Sequence, residues 1–204
     1  MKRWTITLSI LCFLVSFGFS QASLHGEGIR FKVLPQSSVG FAGSSNVNKF
    51  FCSSATIDGS GSGILVQDSS GLHHYSAEIK LVATSLDCGS GRMNKDMYKA
   101  LETEKHPLIE FVLMDIHQIS ELPDGTAFEV VTEGVMTVAG KDVQVEIAFI
   151  VQAIGSNRYS IRGSKFVSMH DFDIEPPRAL FGLIRAKDKL EVRFDIVAEM
   201  LKSE

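Results

Sequence analysis

The chain has 204 residues, of which 45% are hydrophobic and 22% charged, with a formal net charge of −4. An acidic chain without a basic run repels phosphate backbones, so nucleic acid is not an expected partner. Beyond the first twenty or so residues no long apolar run occurs, and no internal repeat or long linker divides the chain.

Residues 1–22 read as a cleavable leader. Lys2 and Arg3 precede an uncharged, mostly apolar run at 4–19, and Ser20 and Ala22 follow in an A-x-A-like arrangement. That is the pattern of a secretory signal peptide, and the run is short of the about 20 residues that a membrane span needs. Cys12 lies within the run, without the small-residue context of a lipoprotein cleavage site. Cleavage would remove two cations and no acid, shifting the formal charge from −4 to −6. Residues 23–204 then form one domain, expected in a periplasm or outside the cell.

Strand-like segments follow at 29–33, 48–57, 63–68 and 73–86, with a flexible, hairpin-like GSGSG at 59–63. Two cysteines remain, Cys52 and Cys88. An exported chain with an even count suggests one disulfide; the other reading is two buried thiols acting as small apolar residues.

The stretch RMNKDMYKALETEKHP, residues 92–107, then breaks the β pattern. Met93, Met97, Ala100 and Leu101 fall on one side of a helix, Asn94 suits an N-cap, and Pro107 biases His106 away from helical geometry. A helix ending near Glu104 is too short to stand alone in water. Its Met-rich side must pack on something, and the open end of a barrel is the natural place. It is either a plug of core or a lid touching a ligand through Met93, Met97 and Leu101.

Four longer strands follow at 107–120, 127–140, 142–154 and 158–167, and a last one at 189–200. In the last, Leu190, Val192, Phe194, Ile196, Ala198 and Met200 share one face, and Lys189, Glu191, Arg193, Asp195 and Glu199 the other. That period-2 alternation describes a long strand with one dry face. Eight or nine strands with short turns predict an all-β antiparallel barrel of eight strands with the short helix covering an end. Closure hides edges that long strands would otherwise expose, and eight strands leave an interior that side chains fill or that holds one small ligand. The inward apolar residues Phe50, Phe111, Leu113, Ile147, Phe149, Phe166, Phe194 and Ile196 are the candidate cavity lining.

No catalytic motif emerges. In GVMTVAGKD, residues 134–142, the glycines are one residue too far apart for a phosphate-binding loop, and Asp142 stands where Ser or Thr must hold magnesium; Ala139-Gly140-Lys141 reads instead as a hairpin tip. GSGSG lacks the Ser of a G-x-S-x-G elbow. Of six histidines only His73 and His74 are adjacent, and neighbouring strand residues face opposite ways. His170-Asp171 suggests a base and its orienter, with no nucleophile spaced to join them. Neither an enzyme nor a metal site is expected.

The order of the later segments carries a resemblance. KALETEKHPLIEFVLMDI, GVMTVAGKDVQVEIAFIVQAIG and FVSMHDFDIEPPRALFGLIRAKDKLEVRFDIVAEM resemble the helix end, central strand pair and final segment of the YceI-like family. LVATSLDCGSGRMN and SSNVNKFFCSS are similar to earlier pieces of it. Together they cover most of residues 30–201. The resemblance implies an extended lipocalin-like barrel holding a long-chain isoprenoid or other amphipathic lipid, often as a homodimer, with the membrane only as lipid source and no cofactor. Family members commonly carry R-x-x-H-L at the helix start. Here Arg92 is followed by Met93-Asn94-Lys95, so no headgroup role for that His carries over. The competing expectation is a filled barrel serving as a structural or partner-binding envelope module, with the irregular loop at residues 170–183 as its contact.

Overall fold

The computed structural model describes residues 27–57, 60–67, 73–74 and 77–201. The expected leader, Cys12, His25 and the side chains of His73 and His74 lie outside the described residues. The first strands are β1 (Glu27–Val33), β2 (Ser38–Ser44), β3 (Lys49–Ser54), β4 (Ser60–Gln67), β5 (His73–His74) and β6 (Ala77–Val82). The helix α1 (Gly91–Ala100) follows, then the long strands β7 (Leu108–Glu121), β8 (Ala127–Val138), β9 (Lys141–Ala153) and β10 (Arg158–Ser168). A small hairpin of β11 (Arg178–Ala179) and β12 (Ile184–Arg185) precedes β13 (Lys189–Leu201).

All ladders are antiparallel, and eight strands run in the order β4-β1-β13-β10-β9-β8-β7-β6. This sheet curls into a half-barrel. β13 organises one side of it: its start pairs with β2 from Glu191 to Asp195, and its end pairs with β1 from Ala198 to Leu201. Ser37, in the link between β1 and β2, donates its hydroxyl to the Val197 carbonyl (3.3 Å) and accepts from the Val197 N–H (2.9 Å), which anchors that crossing.

Among the described residues no ladder joins β4 to β6, the two ends of the path. At the end of the sheet where β2 and β3 extend from β13, β3 is joined to the segment after β6. Ser53 and Asp87 exchange backbone hydrogen bonds at 3.0 and 2.9 Å, the Ser54 and Ser85 hydroxyls meet at 2.8 Å, and Cys52 is disulfide-bonded to Cys88. The two-thiol alternative is thereby replaced by a bond.

Several sequence expectations shift. The strand reading of 73–86 ends at Val82, where a 3-10 turn at Ala83–Ser85 begins. The GSGSG stretch is not a hairpin: residues 60–63 are the first half of β4, paired with β1. β2 was not foreseen, because its glycines at 40 and 43 and its serines erase the apolar alternation that marks a strand. Ala139 and Gly140 form a two-residue turn, both at positive φ (50° and 75°), with Val138 opposite Lys141, the geometry that matches the twist of a hairpin.

The helix starts three residues earlier than its expected cap and stops four earlier than Glu104. Ser90 is the N-cap residue. Asn94 sits one turn inside and reaches back, accepting from the Cys88 N–H and donating to Asp87, each at 2.8 Å. It ties the helix to the loop rather than capping it. The chain then leaves the helix through Glu102 at φ 49°.

Candidate functional site

Alternation on the curled sheet points one face of each long strand into the concave side. β7 contributes Ile109, Phe111 and Leu113, β9 Ile147 and Phe149, and β13 Leu190, Val192, Phe194 and Ile196. The β2–β3 arm adds Phe41, Phe50 and the disulfide, and β6 adds Ile79 and Leu81. α1 lies across one end with Met93, Met97 and Leu101 turned toward the same space. These walls line a cavity of about 560 Å³, within the range of small-molecule sites. Met97 is also packed into core with Cys52, Leu81 and Leu86, so the helix both completes core and borders the hollow.

Seven of the eight residues expected to line the interior stand on this wall: Phe50, Phe111, Leu113, Ile147, Phe149, Phe194 and Ile196. Phe166 does not. It is 56% exposed on the outer face of β10, with the Lys189 ammonium 4.4 Å above its ring centroid. The strand was read in the wrong phase. Its inward set is Ile161, Lys165 and Val167, and the Lys at the centre of that set made the neighbouring Phe look like the buried position. A one-residue slip exchanges the two faces of a strand.

Two glycines set the depth of the hollow. A Cβ on Gly163 would sit 2.6 Å from Phe194 Cζ, and one on Gly134 would sit 2.6 Å from the Phe111 ring. Both rings therefore approach the bare backbone of the neighbouring strand more closely than a Cβ there would allow. Phe194 also meets Phe149 edge-on, with centroids 6.3 Å apart and planes at 73°, a favourable geometry for two rings.

Polar groups stand at the border of this apolar wall: Arg92 and Asp96 on α1, Glu110 on β7, Lys165 on β10 and Arg178 on β11. The Lys80 ammonium bonds Glu78 at 2.9 Å and Glu110 at 3.0 Å, and the two carboxylates, Glu78 first, raise its pKa. Sequence reasoning missed Lys165, because a cation within a strand is normally assigned to the wet face.

The sequence pair His170-Asp171 is not assembled as a base and orienter. The His170 imidazole lies 2.7 Å from Asp188, while Asp171 accepts from the Ser168 N–H. Asp188 also accepts from the Ser168 hydroxyl at 2.6 Å, the main reason its carboxyl is held below the usual range. This network ties the loop after β10 to the start of β13 and contributes nothing to the cavity wall. Among the described residues no group of three His, Cys, Asp or Glu side chains is placed to hold a metal.

Comparison with known proteins agrees with this architecture. A polyisoprenoid binding domain from Saccharophagus degradans, described as implicated in plant cell wall breakdown, superposes with a TM-score of 0.66 at 14% identity, covering 85% of this chain and 99% of that one. BcnA of Burkholderia cenocepacia superposes with a TM-score of 0.60 at 17% identity, covering 81% and 98%. At these identities the likeness is one of fold. No curated protein matches the sequence. The profile of the YceI-like domain matches residues 33–198, most of the chain, and the protein belongs to that family.

Proposed function

We propose that this protein is a non-catalytic carrier that holds the chain of a long isoprenoid or similar amphipathic lipid inside its half-barrel. The carrying observation is the roofed cavity of about 560 Å³, whose walls are aliphatic and aromatic side chains from β2, β3, β6 to β10 and β13. Each CH₂ moved from water into such a space contributes about 0.8 kcal/mol, so a long hydrocarbon is held without a charged contact. The methionines of the roof support the reading. A flexible thioether side chain follows the outline of a variable guest better than a branched one. The description of the S. degradans domain as polyisoprenoid binding points the same way.

A leader at residues 1–22 and work in a periplasm or outside the cell complete the proposal. They rest on the sequence pattern and on a disulfide of the kind that persists in oxidising compartments. The filled-barrel alternative needs an interlocked interior, and the cavity of about 560 Å³ that Phe111 and Phe194 border argues against it.

The test is organic extraction of the purified protein followed by mass spectrometry, and titration of the emptied protein with an isoprenoid quinone and a fatty acid. Co-purifying lipid, or saturable binding of either probe, is expected. If nothing is extracted and neither probe binds, the carrier reading fails.

A further inference from the structure

The irregular loop singled out in the sequence forms a distinct tip. Between β11 and β12 the chain passes through Leu180, Phe181 and Gly182, all at positive φ (49°, 56° and 86°). The tip is fastened to the β2–β3 turn. Asn46 and Arg185 exchange hydrogen bonds at 3.1 and 2.9 Å, Asn46 donates to the Leu183 carbonyl at 2.8 Å, and Lys187 donates to the Ser44 carbonyl at 2.7 Å.

This braced structure presents apolar side chains to solvent. Phe181 is 109% exposed, Leu183 74%, Val47 64% and Leu180 45%. A preformed turn holding bare hydrophobic residues outward marks an interaction surface.

The charges around it choose the partner. Lys49, Arg178, Arg185 and Lys187 are exposed on the two segments, and residues 44–49 and 177–187 contain no acid, in a chain whose formal net charge is −4. Among the described residues none of these four cations lies within salt-bridge distance of a carboxylate. A second copy docked face to face through a two-fold axis would set these cations against themselves. An apolar wedge flanked by cations suits an anionic lipid surface, where the rings and aliphatic tips enter the headgroup layer and the cations stay in it. The position fits too: Val47, Asn48, Arg178, Leu180 and Ile184 also border the cavity, so the tip stands at its rim.

We propose that this tip docks the protein on an anionic membrane surface with the cavity rim facing the bilayer. This goes beyond the carrier reading and does not depend on what the cavity contains.

The test is flotation of the purified protein with vesicles of phosphatidylcholine alone and of phosphatidylcholine with an equal part of phosphatidylglycerol. The protein is expected to float with the mixed vesicles only, and raised salt is expected to weaken it. F181N/L183S keeps a residue that tolerates left-handed backbone at 181 and is expected to lower partitioning about tenfold or more. R178Q/K187Q is expected to do the same, while F166S, an exposed Phe on another face, floats like the parent. Circular dichroism confirms folding of each variant.

The proposal is overturned if the parent floats with neither vesicle, if both tip variants float like the parent, or if F166S loses binding equally. It is also overturned if light scattering shows a dimer that F181N/L183S dissociates, which assigns the surface to a second copy. Failure both to extract lipid and to bind either probe, with flotation intact, refutes the carrier reading alone, and the converse refutes the docking tip alone.

Discussion

Cys52, on the last strand of the β2–β3 arm, is bonded to Cys88, in the loop that leads into α1. The bond thus joins the β2–β3 arm to the segment between β6 and α1, and it borders the cavity beside the helix, with Cys88 Sγ 3.6 Å from Met97 Sδ. One covalent link holds arm and segment together.

Opening that link frees the unfolded chain, whose gain in entropy lowers the stability of the fold. The loop it closes spans a sequence separation of 36, worth about 4 kcal/mol in the chain-entropy account. C52A/C88A, or reduction of the parent, is expected to lower the melting temperature by roughly 10 °C and to weaken uptake of an isoprenoid quinone. Calorimetry with and without reductant checks the first, and fluorescence titration the second. An unchanged melting temperature on full reduction would show that hydrogen bonds alone hold the arm to that segment.

Val192 is half-buried and points into the cavity next to Phe41 on the paired strand. V192W should fill the hollow without displacing packed core. Quinone binding is expected to fall at least tenfold, with the melting temperature within a few degrees of the parent. A variant that binds normally would place the ligand elsewhere.

Gly163 has no room for a methyl group: its Cβ would meet Phe194 Cζ at 2.6 Å, the Ala148 carbonyl at 2.9 Å and Phe149 Cβ at 2.9 Å. G163A is expected to destabilise by about 1–3 kcal/mol, read from urea unfolding, because backbone cannot yield and the ring must swing into the cavity. F194L should restore part of that loss in the double variant, a coupling that distant sites do not show.

Phe166 gives the opposite expectation. On the outer face under Lys189 it contributes at most about 1 kcal/mol. F166S should bind ligand as the parent does, whereas F194S should not. Equal loss in both would restore the inward reading of Phe166.

The Asp188 carboxyl is held below its ordinary range, first by the Ser168 hydroxyl and then by the His170 backbone and ring. A depressed folded pKa adds stability above the unfolded value of about 3.9 and loses it as pH falls through the folded one. The parent should therefore lose stability below about pH 4 more steeply than D188N, seen as melting temperatures that converge with acid. Parallel pH profiles would mean that Asp188 plays no part in acid unfolding.

Much of the architecture could be read from the chain. The alternation from Leu190 to Ile196, the hairpin tip read at Ala139-Gly140-Lys141 (Lys141 in fact opens the next strand) and the Met93-Met97-Leu101 stripe are local patterns. They were sufficient for the antiparallel barrel-like sheet and the one short helix. Three things were decided only in three dimensions. β2 has too little side chain to show a dry face, and it is a strand because β13 and β3 offer it partners on both sides. Phe166 faces out because the register of β10 against β13 sets the phase, which Lys165 hides from any reading of hydropathy. The tip of Leu180, Phe181 and Leu183 is exposed because hydrogen bonds from Asn46, more than 130 residues away in the chain, brace a turn that its own sequence leaves unspecified. Local pattern says which face of an element is greasy; whether that face meets core, cavity or solvent depends on long-range pairing.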